Sequence, residues 1–328
     1  MSGVETITIL RDEEGMRLDR WFRAHYPALK HGALQKLLRT GQVRVDGSRV
    51  KSGTRLEEGQ VIRVPPMPEG EAKPAPNTLT NTDRKYLKDL VLYKDSSVIV
   101  LNKPPGLAVQ GGTRTERHLD GMLDGLKFRA KERPRLVHRL DKDTSGVLLL
   151  ARTRKAASAL SRTFRTRSAR KIYWALVHGR PSPQQGKIAL ALKKTRTGDG
   201  ERVRAGDEGD DEARNAVTYY AVIGRAAMRF SWLSVKPVTG RTHQIRAHLA
   251  AIGHPIVGDL KYGQEDEGQA QGIEEGLHLH ARRLAVPHPD GGTLDISAPL
   301  PDHMRKSWKF LEFDDAVEFD PLDELDDT

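Results

Sequence analysis

From Val91 onward the chain is a succession of short segments rich in β-branched and aromatic residues, and this feature limits its fold more than any other. SVIVLNKPPG, GVLLLAR, KIYWALVHG, GKIALAL, NAVTYYAVIG, FSWLSVKPVTG, LHLHARRLAV and LDISAPL follow one another, most with only short turns between them. Segments of this length and composition read as strands. Strands joined by short connections pair mostly antiparallel, so the reading is an α+β domain with a mixed, mostly antiparallel central sheet and flanking helices on one side. Two helical signals stand among them. KAASALSRTFRTR is basic, with Ala157, Leu160 and Phe164 on one side; THQIRAHLAAIG is capped at Thr242 and buries Ile245, His248, Leu249 and Ile252, leaving Arg246 around the side. The charged stretch from Lys193 to Asn215 reads as a hairpin or loop inserted at the sheet edge.

Residues 65–88 are rich in proline and polar side chains and lack any apolar period, so they read as an extended linker. The linker divides a small N-terminal module, residues 16–64, from the large domain, residues 89–310. Residues 1–15 read as an N-terminal tail. In the module, Leu18, Trp21, Phe22 and Tyr26 share one helical face and Leu34, Leu37 and Leu38 a second, closed by Gly41. QVRV, an Asp46-Gly47 turn and SRVK give a hairpin signal, and EGQVIRVP one more strand. The polar faces carry Lys30, Lys36, Arg39, Arg44, Arg49 and Lys51.

The formal net charge is +10, yet residues 311–328 hold nine acidic and no basic side chains, so the body before them carries +19. Such a body implies a polyanionic partner, with nucleic acid favoured over a membrane surface. The acidic end reads as a disordered, solubilising tail; the alternative is that it folds back over a basic groove. No apolar run approaches the roughly 18 residues of a membrane-spanning helix, and no secretory signal is visible. The absence of cysteine excludes disulfides and thiolate metal sites. The expectation is a soluble, cytoplasmic monomer.

HRLDKDTSG, from His138 to Gly146, places Asp141 in a turn just before the strand GVLLLA, with Arg139 and Lys142 beside it. On these residues alone Asp141 is either a carboxylate aimed at a substrate or a turn aspartate paired with its basic neighbours. His138 would orient the loop. His243, His248 and His254 invite a metal reading, but they lack the His-Glu-x-x-His spacing, so packing and helix-end hydrogen bonds are the expected roles. Gly111 and Gly112 read as a tight turn rather than a phosphate cradle, because no P-loop lysine follows.

Four stretches taken together resemble one family. LNKPPGLAVQGG, LVHRLDKDTSGVLLLAR, RKIYWALVHG and PVTGRTHQIRAHLAAIGHPIVGDLKYG are similar to the signature blocks of the RluA family of RNA pseudouridine synthases, over about Met16 to Phe310. The order helix, helix, hairpin, strand in the N-terminal module resembles the small RNA-binding domain shared by a ribosomal small-subunit protein and bacterial tyrosyl-tRNA synthetases. The first resemblance implies an isomerase that turns uridine into pseudouridine in large-subunit (23S) ribosomal RNA by base flipping, with no cofactor and no metal. It implies that Asp141 is the catalytic carboxylate, that Tyr173 lies against the flipped uracil, and that Arg246 pairs with Asp141. Arg139 would enter the vacancy in the RNA stack, where a planar guanidinium can stack and hydrogen-bond. Arg241 is a candidate phosphate contact. The second resemblance places RNA contacts on Lys30, Lys36, Arg39, Arg44 and Lys51. The alternatives are a non-catalytic ribosome-assembly factor, a synthase acting on another RNA such as tRNA, and a metal-dependent hydrolase using the histidines and Asp259.

Overall fold

A computed structural model describes residues 3–10, 13–26, 29–67, 79–111, 117–197, 200–206, 210, 212–263, 271–317 and 319–323. Two compact units emerge, Met1–Thr78 and Leu79–Thr328.

The first unit holds β1 (Glu5–Thr8), α1 (Leu18–His25), α2 (His31–Arg39), β2 (Arg44–Val45) and β3 (Val61–Val64), with β3 central in the order β1-β3-β2. Leu18, Trp21 and Phe22 of α1 and Leu34 and Leu38 of α2 pack onto Val43, Val45, Leu56, Ile62 and Val64. Two sequence expectations change here. The residues read as a tail contribute β1, which pairs antiparallel with β3, and the buried Ile9. Glu13 in the same stretch is buried and accepts a hydrogen bond from Trp21 Nε1 at 3.0 Å. The Asp46-Gly47 turn forms with both residues at positive φ, but SRVK does not continue as a strand; β2 pairs β3 instead.

The second unit comprises α3 (Asn81–Asp89), β4 (Val91–Lys94), β5 (Val98–Lys103), α4 (Leu119–Met122), β6 (Arg135–Leu136), β7 (Ser145–Ala151), α5 (Arg154–Arg165), β8 (Arg170–His178), β9 (Gln185–Ala189), β10 (Leu192–Thr197) and β11 (Gly200–Ala205). It continues with β12 (Val217–Ala226), β13 (Phe230–Pro237), α6 (Gln244–Ala251), β14 (Leu279–Pro287), β15 (Thr293–Ser297) and α7 (Asp302–Phe310). A ten-stranded sheet runs β4-β5-β7-β14-β8-β13-β12-β9, with β15 on β14 and β6 on β7. Its described pairs are antiparallel except β7 with β14, which is parallel and only two residues long (His280↔Ser145, Ala281↔Gly146). The mixed sheet is as expected. Gly146 sits at φ +109° where a Cβ would lie 2.2 Å from the Ala281 carbonyl oxygen, so the close approach of β14 requires glycine there.

Helices cover both faces rather than one, because alternate residues of the central strands are buried on each side. On β8, Tyr173, Ala175 and Val177 pack toward α6, while Ile172, Trp174 and Leu176 pack toward Met304 and Trp308 of α7. Helix α3 lies within the stretch read as linker. It opens with a Thr80–Asp83 capping box and buries Leu87 fully, so that reading extended too far; residues 68–78, its proline-rich middle, lie outside the described residues. The acidic end is likewise packed. Phe313 stands against Trp232 and Trp308, Leu322 is fully buried, and Asp320 accepts a hydrogen bond from the Ser234 hydroxyl at 2.7 Å. Burial raises the pKa of the Asp320 carboxyl, which that hydrogen bond opposes. Asp323 pairs with Arg170 (2.8 Å) and Arg283 (2.9 Å). These contacts gather on the Trp174 side of the sheet, opposite Tyr173. Among the described residues no helix is long and apolar enough to cross a membrane.

Candidate active site

The loop between β6 and β7 carries His138, Arg139 and Asp141, and three anchors hold it. Leu140 is buried in the core beside α4. The His138 ring stacks on Phe164 of α5 at 4.4 Å, and its Nε2 accepts the Leu149 N–H at 2.9 Å. Burial, with Lys171 nearby, pushes the His138 pKa down to about 3, so the ring is neutral and serves as an acceptor. The third anchor is Lys103, a fully buried lysine. Its ammonium donates to the carbonyls of Pro104 (2.8 Å), Leu107 (2.9 Å) and Lys142 (2.8 Å), the last being the residue after Asp141. Burial pulls its pKa down to about 7, against the pull of Asp143 and Asp141.

Tyr173 rises from β8, partly buried between two apolar clusters. Burial, and then the Asp141 carboxylate, raise the pKa of its phenol, so it stays protonated at neutral pH.

Helix α6 supplies the opposite wall. It begins at Gln244 rather than at a Thr242 cap; His243, at φ +51°, is the N-cap residue and makes no side-chain cap bond. Gln244 fixes this turn from within: its Oε1 accepts from Thr239 Oγ1 (2.7 Å) and the Arg241 N–H (3.1 Å), and its Nε2 donates to Val217 O (2.9 Å). Arg246 is buried, and its fork closes on Asp259, Nε to Oδ2 at 2.7 Å and Nη2 to Oδ1 at 2.6 Å. Burial works against its charge, but Asp259, with a smaller contribution from Asp141, outweighs this and raises its pKa. The direct partner of Arg246 is therefore Asp259, which corrects the expected pairing with Asp141; Asp141 acts on the guanidinium through its field alone. Two backbone N–H groups, of Lys261 (2.9 Å) and Tyr262 (3.1 Å), complete Asp259 Oδ1. Gly258, at φ +75°, lets the chain turn there, since a Cβ would lie 1.9 Å from the Gly276 carbonyl oxygen.

These walls enclose a cleft of about 710 Å³, lined by Arg139, Asp141, Thr144, Tyr173, Arg241, His243 and Arg246, with Phe164, Arg165, Arg167 and Lys171 at the α5–β8 side. Among the lining residues Asp141 is the one acid, facing six arginine or lysine side chains. One of the six, Arg246, is bridged by Asp259.

Comparison with known proteins identifies the family. The family model for RNA pseudouridylate synthase matches residues 97–251, which include Asp141, Tyr173 and Arg246. "Ribosomal large subunit pseudouridine synthase C" of Haemophilus influenzae is 36% identical over 93% of this chain and 94% of its own length. The chain belongs to the RNA pseudouridine synthases. "RNA pseudouridine synthase 4, mitochondrial" of Arabidopsis thaliana is 34% identical over 89% of this chain and 79% of its own. Among solved structures, "Human RNA Pseudouridylate Synthase Domain Containing 4" superposes with a TM-score of 0.61 at 30% identity, covering 71% of this chain and 96% of that one.

In this pseudouridine synthase the sequence-predicted Arg139, Asp141, Tyr173, Arg241 and Arg246 all line one cleft. In the N-terminal unit Lys30, Lys36, Arg39 and Lys51 are exposed. Arg44 differs: its guanidinium braces the turn, donating to Gly41 O (3.2 Å) and Gly47 O (2.9 Å), so fewer of its donors remain for RNA. The three histidines go separate ways. His243 Nδ1 lies 3.0 Å from Tyr262 Oη, His248 Nδ1 2.9 Å from Thr218 Oγ1, and His254 Nδ1 donates to His178 O at 2.9 Å. Sequence reasoning did not single out Lys103, Arg165, Arg167, Lys171 or Tyr262. The Lys of NKPPG and the Tyr of GDLKYG lay inside the quoted blocks, but nothing local marks a lysine as buried or a tyrosine as a hydrogen-bond junction.

Proposed function

We propose that this enzyme isomerises specific uridines to pseudouridine in large-subunit (23S) ribosomal RNA. The reading is supported by relatives whose names carry that substrate and that align over nearly the whole chain. The observation that carries it is the cleft itself, with one carboxylate beside a protonated phenol inside an otherwise cationic wall. RNA phosphates lower their energy against such a wall, and a flipped nucleotide brings its sugar and base within reach of the carboxylate.

In the reaction the N1 glycosidic bond breaks, the uracil turns, C5 bonds to the ribose carbon, the C5 proton leaves and N1 gains one. Asp141 is the carboxylate on which the exchange depends, and Lys103 and His138 hold its loop in place. Tyr173 provides a face for the uracil, its proton retained so that the hydroxyl donates. Arg139, exposed at the cleft mouth, fills the space the base leaves in the stack. Arg246, fixed by its direct bridge to Asp259, places a guanidinium near Asp141 without pairing with it. In the N-terminal unit Lys30, Lys36, Arg39 and Lys51 engage phosphates.

The test is to map pseudouridine in ribosomal RNA from cells carrying the wild-type chain, no chain, or Asp141→Asn. The expected result is one or more large-subunit uridines modified only by the wild type. Identical maps in all three would overturn the substrate assignment.

A further inference from the structure

We propose that Tyr262 is a positioning residue that ties the basic β10–β11 hairpin to the cleft, so that RNA phosphates held by the hairpin favour the working arrangement of His243 and Arg246. This rests on the RNA reading above and adds to it a route by which substrate beyond the target nucleotide assists the reaction.

The hairpin forms its own two-stranded sheet, separate from the ten-stranded one. Lys194, Arg202 and Arg204 are exposed on it. Beside the backbone pairing of Leu192 with Arg214, three kinds of contact tie it to α6 and to the turn from Asp259 to Tyr262. Leu192 and Val203 pack with Ala216 and Ala247 of α6 in a small apolar cluster against which Tyr262 rests. The Arg202 guanidinium donates to the Lys261 carbonyl. The Val203 N–H donates to Tyr262 Oη at 2.9 Å.

The same phenol oxygen lies 3.0 Å from His243 Nδ1. Having accepted from Val203, it can still donate its own hydrogen to the imidazole, in the tautomer that carries the ring proton on Nε2. Burial raises the pKa of the phenol, so that hydrogen is present at neutral pH. The Tyr262 ring also lies 5.2 Å from the Arg246 guanidinium, and the Lys261 and Tyr262 N–H groups grip the carboxylate that clamps Arg246. The turn from Asp259 to Tyr262 therefore touches the hairpin on one side and two cleft residues on the other. A shift of the hairpin moves one hydroxyl and two backbone donors, and through them His243 and Arg246. Small misplacements of such groups slow chemistry more than they weaken binding.

Tyr262→Phe removes both hydroxyl bonds and keeps the ring. Its kcat and KM are measured with the full chain on two RNAs carrying the mapped uridine: a long ribosomal transcript and a minimal stem-loop. The long transcript should show a fall in kcat of about tenfold with KM within about twofold, and the stem-loop a smaller fall. Combining Tyr262→Phe with Lys194→Ala/Arg204→Ala should be non-additive in kcat on the long transcript, because each change breaks the same connection. An equal loss on both RNAs, full additivity, or no loss would overturn the proposal. Equal losses accompanied by a lower melting temperature would assign Tyr262 a purely structural role. A wild-type chain inactive on both RNAs would instead overturn the RNA reading itself.

Discussion

Replacing Asp259 by asparagine tests the reasoning about Arg246 most directly. The Asp259 side chain is fully buried, that of Arg246 is 5% exposed, and the two share a bidentate bridge of 2.6 and 2.7 Å. Asparagine leaves the guanidinium buried without a counter-charge. Its amide NH2, placed at the Oδ2 position, also meets the Arg246 Nε–H donor, while Oδ1 keeps the Lys261 and Tyr262 N–H bonds. Breaking one partner of a buried ion pair costs about 3–5 kcal/mol. For a domain of this size each kcal/mol shifts the melting midpoint by roughly 2–4 °C, so a fall of about 6–20 °C is expected. Calorimetry and urea unfolding at pH 7.5 measure it, alongside pseudouridine formation. The pair Asp259→Leu/Arg246→Met separates stability from function, since an apolar replacement of similar volume removes the desolvation cost of both charges. It should regain most of the stability and little of the activity. An Asp259→Asn protein within about 1 kcal/mol of wild type would refute the claim that this carboxylate fixes Arg246, as would an active double variant.

Three further outcomes are expected. His278 and His280 are fully buried, with pKa values pushed down to about 4 and about 3 by burial. The unfolded chain therefore binds more protons below pH ~6.5, and stability falls as pH falls, by about 2 kcal/mol for the two over the first unit, read as a lower urea midpoint. Gly146→Ala drives a Cβ into the Ala281 carbonyl at a positive φ and should cost at least ~3 kcal/mol by chemical denaturation; a near-neutral change would mean β7 and β14 separate freely. Deleting residues 313–328 uncovers Trp232 and Trp308 and removes the buried Leu322, so a loss of about 3–6 kcal/mol and red-shifted tryptophan emission should follow; unchanged emission would show that the segment does not pack there.

The tail shows where a composition argument stops. Nine acids in residues 311–328 dominate any average, yet Phe313 and Leu322 find a tryptophan cluster, and Asp323 finds Arg170 and Arg283, residues far away in sequence. Helix α3 was hidden for a similar reason: prolines before it set the character of the segment, while the helix buries only Leu87 fully, with Tyr86 packed beside it. The first strand has four residues and pairs with one more than 50 positions later, so no local period announces it.

What the sequence determined by itself was local or repetitive. Period-two strands, paired helical faces and a basic body each depend on neighbours a few residues apart, and together they specified an α+β protein directed to a polyanion; the enzyme and the residues of its cleft came from the resemblance of four sequence blocks to one family. What only the tertiary structure decided was partnership. The sequence offers Arg246 two aspartates, Asp141 and Asp259, and nothing local chooses between them. The left-handed turn at His243 and the glycine turn at Gly258 bring Asp259, not Asp141, against the fork. The choice between two equivalent carboxylates is a matter of distance, and distance between residues far apart in the chain exists only once the sheet has brought them together.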